Sequence, residues 1–304
     1  MRIVGSAHSG TMGFMVRGDS PIKTIYDIGP ETRVAEPDSA SEMIYALLAW
    51  LQLNKGPILP YSADTEWNVK LVSLDSWETN LKSIINGSVD VGWATPENPL
   101  VKEAANSPHG VRFLNLPISK DPDGAQRFRQ FLPFGKLRPA PQHGVKEIWG
   151  VTSLVGTACL WCRFDLDSDL AYTLTKWFDE NYELYKDKGN KLYTYNREAF
   201  RWTLDVAMAP VHNGAIKYFK EIGLWTKADD VRQEYNSKLM TWYCDAWDVA
   251  IDIADGRGVV VSAASEEWIR LWVDYKEKIR IPGYRQMTDG EIQEGLAFLK
   301  SLGQ

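Results

Sequence analysis

The sequence predicts an α/β protein whose main sheet is mostly parallel. Three observations lead there. Between about residues 28 and 117, short apolar runs alternate with amphipathic stretches of helical period. The runs are short and rich enough in apolar and β-branched residues to be buried parallel strands. Gly87, a natural helix stop, leads straight into one of them, Val89 to Trp93.

Taken in order, Gly13-Phe-Met-Val-Arg17 reads as a first strand and residues 32–36 as a second. Pro37 to Glu42 opens a helix running to about Leu53, with Met43, Ile44, Leu47, Leu48 and Leu51 as its buried stripe. Ser39 and Glu42 have the spacing of a capping box. Residues 54–66, with Gly56-Pro57 and Pro60, form a loop. Residues 69–73 are a strand. Asp75 and Glu78 are spaced as a reciprocal cap for a helix over 76–86, with Trp77, Leu81, Ile84 and Ile85 on its apolar face. Residues 89–94 form the next strand, ending at Thr95-Pro-Glu97-Asn98. Leu100 to Ala105 begins a helix, and residues 111–114 complete the sheet.

Residues 121–143 are rich in Pro, Gly, Arg and Lys and read as a surface excursion. Arg127, Arg129, Lys136 and Arg138 could attract an anion there, or simply be solvated. A return strand follows within 145–164. Residues 166–185 form a helix with Leu170, Leu174, Trp177 and Phe178 on one side. Further helices are expected at 197–206, 215–222, 229–255, 266–279 and 289–302, the last capped by Thr288 or Asp289 with Glu291 in its first turn.

At 304 residues the chain is long enough for two lobes or domains. Its net charge of −6 and lack of a dense basic run argue against nucleic acid. Gly258-Val-Val-Val-Ser-Ala-Ala is too short to span a bilayer. Three cysteines make no disulfide framework, and Cys159 and Cys162, three apart on a strand, point to opposite faces. The few histidines are dispersed, so no metal site is expected. No nucleophile elbow or phosphate-cradling Gly-rich loop with Lys is present. Asp245, Asp248 and Asp252 read as helical surface charge. Tryptophans such as Trp177, Trp242, Trp268 and Trp272 fall at amphipathic positions that favour core packing.

In open α/β sheets, ligands sit outside the carboxyl ends of the strands. This directs attention to Asp38-Ser39-Ala40-Ser41 and to Thr95, Glu97 and Asn98. The first turn of the helix after Asp38 carries small hydroxyl residues and free N–H groups, and could receive a carboxylate or phosphate. An ordinary helix cap accounts for the same residues.

Two separated blocks also resemble a known family. Asp19-Ser-Pro-Ile22-Lys-Thr-Ile25-Tyr-Asp27-Ile, Arg33-Val-Ala, the small-residue turn at Asp38 to Ser41 and Asn86-Gly87-Ser-Val-Asp90-Val-Gly resemble the middle of a periplasmic solute-binding protein. Ala209-Pro210-Val-His212-Asn-Gly214-Ala215-Ile-Lys-Tyr218-Phe-Lys-Glu221-Ile-Gly223 resembles the late motif of the TAXI family of receptors for TRAP transporters. A proline, a histidine, a Gly-Ala pair, a tyrosine and a glutamate recur in that motif.

The resemblance implies a periplasmic-binding-protein type II-like two-lobe α/β fold with additional C-terminal helices. Residues 1–27 would be a hinge strand and a remnant of lobe I, 28–144 lobe II, 145–225 the return strand and lobe I helices, and 226–304 a C-terminal helical extension. Family members begin with a signal peptide and about half of a first lobe. Met1-Arg-Ile-Val-Gly has no charged n-region before an apolar one, so both are expected to be missing from this chain. The helices at 229–255 and 266–279 would then cover apolar surface of the residual lobe, or offer it to a partner chain.

The expected function is a non-enzymatic receptor that captures a small organic anion, a carboxylate or an amino acid such as glutamate. It would act in the periplasm without cofactor or metal, passing its ligand to TRAP transporter membrane subunits. Expected ligand-binding residues are Asp38, Ser39, Ala40, Ser41, Thr95, Glu97, Asn98 and His212. His212 could instead fix a loop. The competing expectation is a cytosolic enzyme or ligand-sensing regulator on the same fold.

Overall fold

Phe14, Met15 and Val16 are an apolar run with essentially no exposed surface, which marks an interior strand. A computed structural model describes residues 1–38, 41–58, 65–132, 135–189, 192–284 and 287–303. In it the run lies in β1 (Arg2–Arg17). The chain divides into two compact units, residues 8–158 and residues 1–7 with 159–304. It passes from one to the other within β1 and returns within β7 (Thr152–Cys162).

In the unit of residues 8–158, β2 (Arg33–Pro37) and β3 (Lys70–Leu74) pair in parallel, Arg33 opposite Lys70 through Pro37 opposite Leu74. Val34 forms a parallel bridge to Val91, and Ala35 N–H donates to the Val91 carbonyl at 2.8 Å. The chain continues from Val91 into β4 (Gly92–Ala94), which pairs antiparallel with β1, Phe14 opposite Trp93. The other edge of β1 takes β5 (Val111–Leu114), also antiparallel, with Phe14 opposite Leu114. The order is therefore β3, β2, β4, β1, β5. The four strands expected to run together do so, but β1 is inserted against them between β4 and β5.

Alternation along the strands builds two layers. Phe14, Val16, Val34, Trp93 and Leu114 share a core with α1 (Glu42–Trp50) and α4 (Pro122–Phe131). Met15, Ala35, Ala94 and Phe113 face α2 (Trp77–Asn86) and α3 (Pro99–Ala105). Gly87 ends α2 with φ 78°, as expected. The start of α2 differs from expectation. Ser76, not Asp75, is the cap, accepting from Thr79 N–H at 3.1 Å, while Asp75 accepts the Thr79 hydroxyl at 2.6 Å. That one-residue shift turns Glu78 outward to pair with Lys82, so the reciprocal cap does not form.

The expected surface excursion is also corrected. Asp121 caps α4 by accepting from Gly124 N–H at 2.8 Å, with Pro122 at the first helical position, and β6 (Gly135–Pro139) pairs antiparallel with β7. Arg127 donates to the carbonyls of Ala49 and Trp50 at 3.0 and 2.8 Å, closing the carboxyl end of α1. It is a structural cation and is not a solvated one.

In the other unit, Ile3 bridges Val211 in parallel. Around it pack α5 (Ser168–Glu180), α7 (Arg197–Val206) and α8 (Asn213–Glu221), through Phe200, Leu204, Tyr218 and Phe219. Of the stripe expected on α5, only Phe178 packs against the core of its unit. Leu170, Leu174 and Trp177 are exposed, and Ala171 and Thr175 face inward, because the Thr175 hydroxyl donates to the Val4 carbonyl at 2.7 Å. After a break at Asn181, α6 (Tyr182–Tyr185) follows.

The C-terminal residues form α9 (Lys227–Arg257), α10 (Glu266–Lys278) and α11 (Asp289–Ser301). Of the two expected caps of α11, Thr288 is the one used, and Glu291 in the first turn bonds back to it reciprocally. The first half of α9 is tied to the rest of its unit: Arg201 forks onto Asp229, and Asn236 donates to the Ala207 carbonyl. Its later turns pack with α10 and α11 around Leu239, Trp242, Ile292 and Leu296. Among the described residues, no helix is long and apolar enough to cross a membrane.

Candidate functional site

Because β2 is bonded to the strand that leads into β4, Asp38 and the segment 95–98 leave the same sheet edge on neighbouring strands, about 5 Å apart. The amino ends of α1, α2 and α3 return from that edge. Ser39 and Ala40 lie outside the described residues. Asp38 is exposed, and its N–H donates to the Leu74 carbonyl at 2.8 Å. Ser41 has helical backbone angles, so its hydroxyl does not cap α1. Its carbonyl accepts from the Ile44 and Tyr45 N–H groups at 2.8 and 3.1 Å, which starts the helix.

Beneath Ser41 is a bonded cluster. The Tyr45 hydroxyl donates to Glu36 Oε1 at 2.6 Å, and the Ser73 hydroxyl to Glu36 Oε2 at 2.9 Å. Tyr45 stacks on Trp67 with centroids 5.8 Å apart. Burial, reinforced by the Glu36 carboxylate, pushes the Tyr45 phenol well above its ordinary value, so it remains a donor.

The 95–98 loop is firmly held. Thr95 carbonyl accepts from Asn98 N–H at 3.1 Å, and Pro96 carbonyl from Val145 N–H at 3.2 Å. Gly144, at φ 71°, packs so closely that a Cβ there would lie 2.5 Å from the Pro96 carbonyl carbon. Asn98 Oδ1 caps α3, accepting from Leu100 N–H at 2.9 Å. Glu97 differs from its neighbours: its Oε2 is buried and has no hydrogen-bond partner.

Two more buried polar atoms on this part of the fold lack partners, Trp93 Nε1 at the end of β4 and Asn80 Oδ1 on α2. Asn80 is fully buried and donates through Nδ2 to the Trp93 carbonyl at 2.9 Å. The Trp93 ring lies 3.9 Å from that of Trp77, centroid to centroid. Each unpartnered buried group costs about 1–3 kcal/mol, so their concentration around one strand end is a functional signal. The apolar periodicity in the sequence marks Trp77 and Trp93 as core, and nothing local singles out Glu36 or Tyr45. Asn80 was visible as a polar residue on the helix face of Trp77, Leu81 and Ile84.

Glu36, Asp38, Glu42 and Glu97 all belong to these elements, whereas the Arg33–Asp90 pair sits at the opposite, amino end of β2. Among the described residues, no group of three or more His, Cys, Asp or Glu could hold a metal ion.

His212 belongs to the other unit and is a helix cap. Its Nδ1 accepts from Gly214 N–H at 3.2 Å and its Nε2 faces the Leu166 carbonyl at 3.0 Å, so Nε2 carries the proton. It is 3% exposed, and backbone groups use both ring nitrogens, leaving neither for a ligand. Gly214, next in the same motif, lets α8 approach α5 closely. A family sequence profile matches residues 1–223, across both units and this motif.

The chain belongs to the NMT1-like family. No curated protein matches this NMT1-like chain. Among solved structures, it aligns with the substrate-binding protein of an amino acid ABC transporter at 14% identity and a TM-score of 0.27, covering 57% of this chain and 53% of that one. A putative sulfonate ABC transporter's periplasmic sulfonate-binding protein from Methylobacillus flagellatus KT aligns at 12% identity and a TM-score of 0.35, covering 94% and 72%. The periplasmic aliphatic sulphonate binding protein from Escherichia coli aligns at 15% identity and a TM-score of 0.28, covering 64% and 68%. The chain thus spans about half the length of the first of these. Superpositions this loose carry no argument about activity.

Proposed function

We propose that this NMT1-like protein is a solute-binding receptor for an amino acid, held at the carboxyl edge of the sheet in the unit of residues 8–158. The observation that carries the reading is Glu97, a carboxylate with a buried, unpartnered oxygen on a loop fixed beside the segment after β2. An ammonium group supplies the missing donors. The acidic company of Glu36, Asp38 and Glu42 favours a ligand that carries one, and disfavours a plain dicarboxylate. The ligand's carboxylate would lie against Ser41 and the first turn of α1, where helix N–H groups and the macrodipole compensate it. Asp38, Thr95 and Asn98 shape the edge, Asn98 through its cap on α3. The Trp77–Trp93 pair supplies apolar wall and one indole donor.

The TAXI-like block at residues 209–223 supports a receptor of the TRAP type, acting in the periplasm and delivering an amino acid such as glutamate to transporter membrane subunits. Calorimetry with glutamate and with its desamino analogue glutarate tests the ligand assignment. Glutamate should bind and glutarate should bind at least about tenfold more weakly, with Glu97→Ala and Ser41→Ala each weakening glutamate about tenfold or more. Unchanged glutamate affinity in both variants rejects the site.

A further inference from the structure

The carboxyl edge of the sheet in the unit of residues 8–158 is supplied with acids and with no base. Residues 34–50, 71–81 and 83–101 hold the carboxyl ends of β2, β3 and β4 and the first turns of α1, α2 and α3, and none of them is a lysine or arginine. Some of their acids have ordinary structural roles. Glu42 and Glu78 stand in the first turns of α1 and α2, where they compensate the helix dipoles, and Glu78 also pairs with Lys82. Asp75 accepts the Thr79 hydroxyl, and Asp90 pairs with Arg33 at the opposite end of the strands. Glu36, Asp38 and Glu97 remain. Among the described residues no cation pairs with any of these three carboxylates, and Glu36 has only the hydroxyls of Tyr45 and Ser73.

Neighbouring segments bring no net charge to offset them. Lys120, beyond β5, is followed by Asp121, and Lys146, next to the Val145 that holds Pro96, is followed by Glu147. Lys136 and Arg138 lie on β6, three strands away from β4. The site does not rest on charge alone. Trp93 is 7% exposed and has an unpartnered indole N–H at the end of β4, and Glu97 Oε2 is buried without a partner, so hydrogen bonding there is left for a ligand to complete. Trp77, half-buried against Trp93, adds aromatic surface of the kind that attracts a cation.

We propose that the amino acid held at this edge is one with a cationic side chain, an ammonium or a guanidinium, as in lysine or arginine. The inference rests on the amino acid reading of the same site. In that reading the α-ammonium meets Glu97 and the α-carboxylate meets the first turn of α1. Glu36 and Asp38, on the neighbouring strand, are then left for a second cation. Strand β2 and the strand leading into β4 are about 5 Å apart, within reach of a four-carbon side chain. A neutral side chain leaves the edge negative, and glutamate adds to the excess. A basic side chain reduces it, and like charges gathered in one place raise the local concentration of an oppositely charged ligand. Glutamate is then the weaker ligand of the class.

Calorimetry on the full chain with lysine, arginine, norleucine and glutamate tests this. Lysine should bind at least about tenfold more tightly than norleucine, its neutral counterpart, and than glutamate. Added salt should shrink that preference. Asp38→Asn and Glu36→Gln should each lower the ratio of lysine to norleucine affinity about threefold or more. Glu36 also accepts two hydroxyls, so should Glu36→Gln fail to fold, Asp38→Asn, at an exposed side chain, gives the answer. Lysine binding no tighter than norleucine, glutamate binding tighter than lysine, or a lysine preference that the variants leave unchanged each overturns the proposal and leaves the amino acid reading standing. Failure of all four to bind overturns both.

Discussion

Gln233 pairs with Val211 as a strand residue would: its Nε2 donates to the Val211 carbonyl and its Oε1 accepts from the Val211 N–H, both at 2.8 Å. A side chain on α9 thereby satisfies the outer edge of the segment that Ile3 bridges from the inner side. Val211 is 2% exposed, so water cannot replace the amide. Gln233→Ala should therefore destabilise the protein by about 2–4 kcal/mol, two buried backbone groups being left unpaired. Gln233→Glu should fall between, since a carboxylate accepts from the N–H but faces the carbonyl with no donor. Urea unfolding checks the order. Equal stability of Gln233→Ala and wild type would show that α9 is not fastened at this point.

The same helix is anchored by charge. Burial works against ionisation of Asp229, but the fork from Arg201 and the Thr226 hydroxyl and N–H outweigh it, holding the carboxyl below its usual range. A carboxyl whose folded value lies below its unfolded value of about 3.9 stabilises the fold above that pH. The contribution is lost as pH falls through the folded value. Asp229→Asn should cost about 3 kcal/mol near neutrality, and the gap from wild type should narrow on acidification below about pH 4. A gap independent of pH would mean that the pair contributes geometry alone.

Gly214 allows two helices to touch. A Cβ there would overlap the Ser168 carbonyl and lie 2.7 Å from Tyr172 N. Gly214→Ala should force α8 away from α5 and lower stability by about 1–3 kcal/mol, although alanine is the better helix former. A thermal midpoint at or above that of wild type would refute this account of the Gly-Ala pair.

Trp93 offers a separation of fold from function. Its indole N–H has no partner, so Trp93→Phe removes an unsatisfied donor while keeping an aromatic ring against Trp77. Stability should change by less than about 1 kcal/mol, while affinity for the amino acid falls several-fold. Large destabilisation with unaltered binding would place Trp93 in the core alone.

Local chemistry made much of the fold legible. Gly87, the apolar runs at 89–94 and 111–114, and the stripe of Met43, Ile44, Leu47 and Leu48 fixed element type and near-correct bounds, because helix and strand periods are written in neighbouring residues. The edge carrying Asp38, Ser41, Thr95, Glu97 and Asn98 was also readable, since a strand followed by a loop and a helix returns its chain to one side of a parallel sheet. Caps were less secure: Ser76 displaced Asp75 by one residue, a choice between near-equal acceptors that the following turn decides.

Pairing and burial are long-range and had to come from the tertiary structure. Nothing local in Phe14-Met15-Val16 says that β1 runs against its neighbours between β4 and β5, because an apolar run carries no address for its partner. The stripe of Leu170, Leu174 and Trp177 has the period of a buried face, yet the Thr175 bond to Val4 turns the neighbouring face of Ala171 and Thr175 inward. His212 looked like a candidate ligand contact until both ring nitrogens were found on backbone groups. Asn80, Trp93 and Glu97 stand out only because the fold buries atoms whose hydrogen-bonding partners it does not supply. Sequence determines what each segment can form, through energies that act over a few residues. Only the packed chain determines which faces meet and which polar atoms are left without partners, because those energies are shared between residues far apart in sequence.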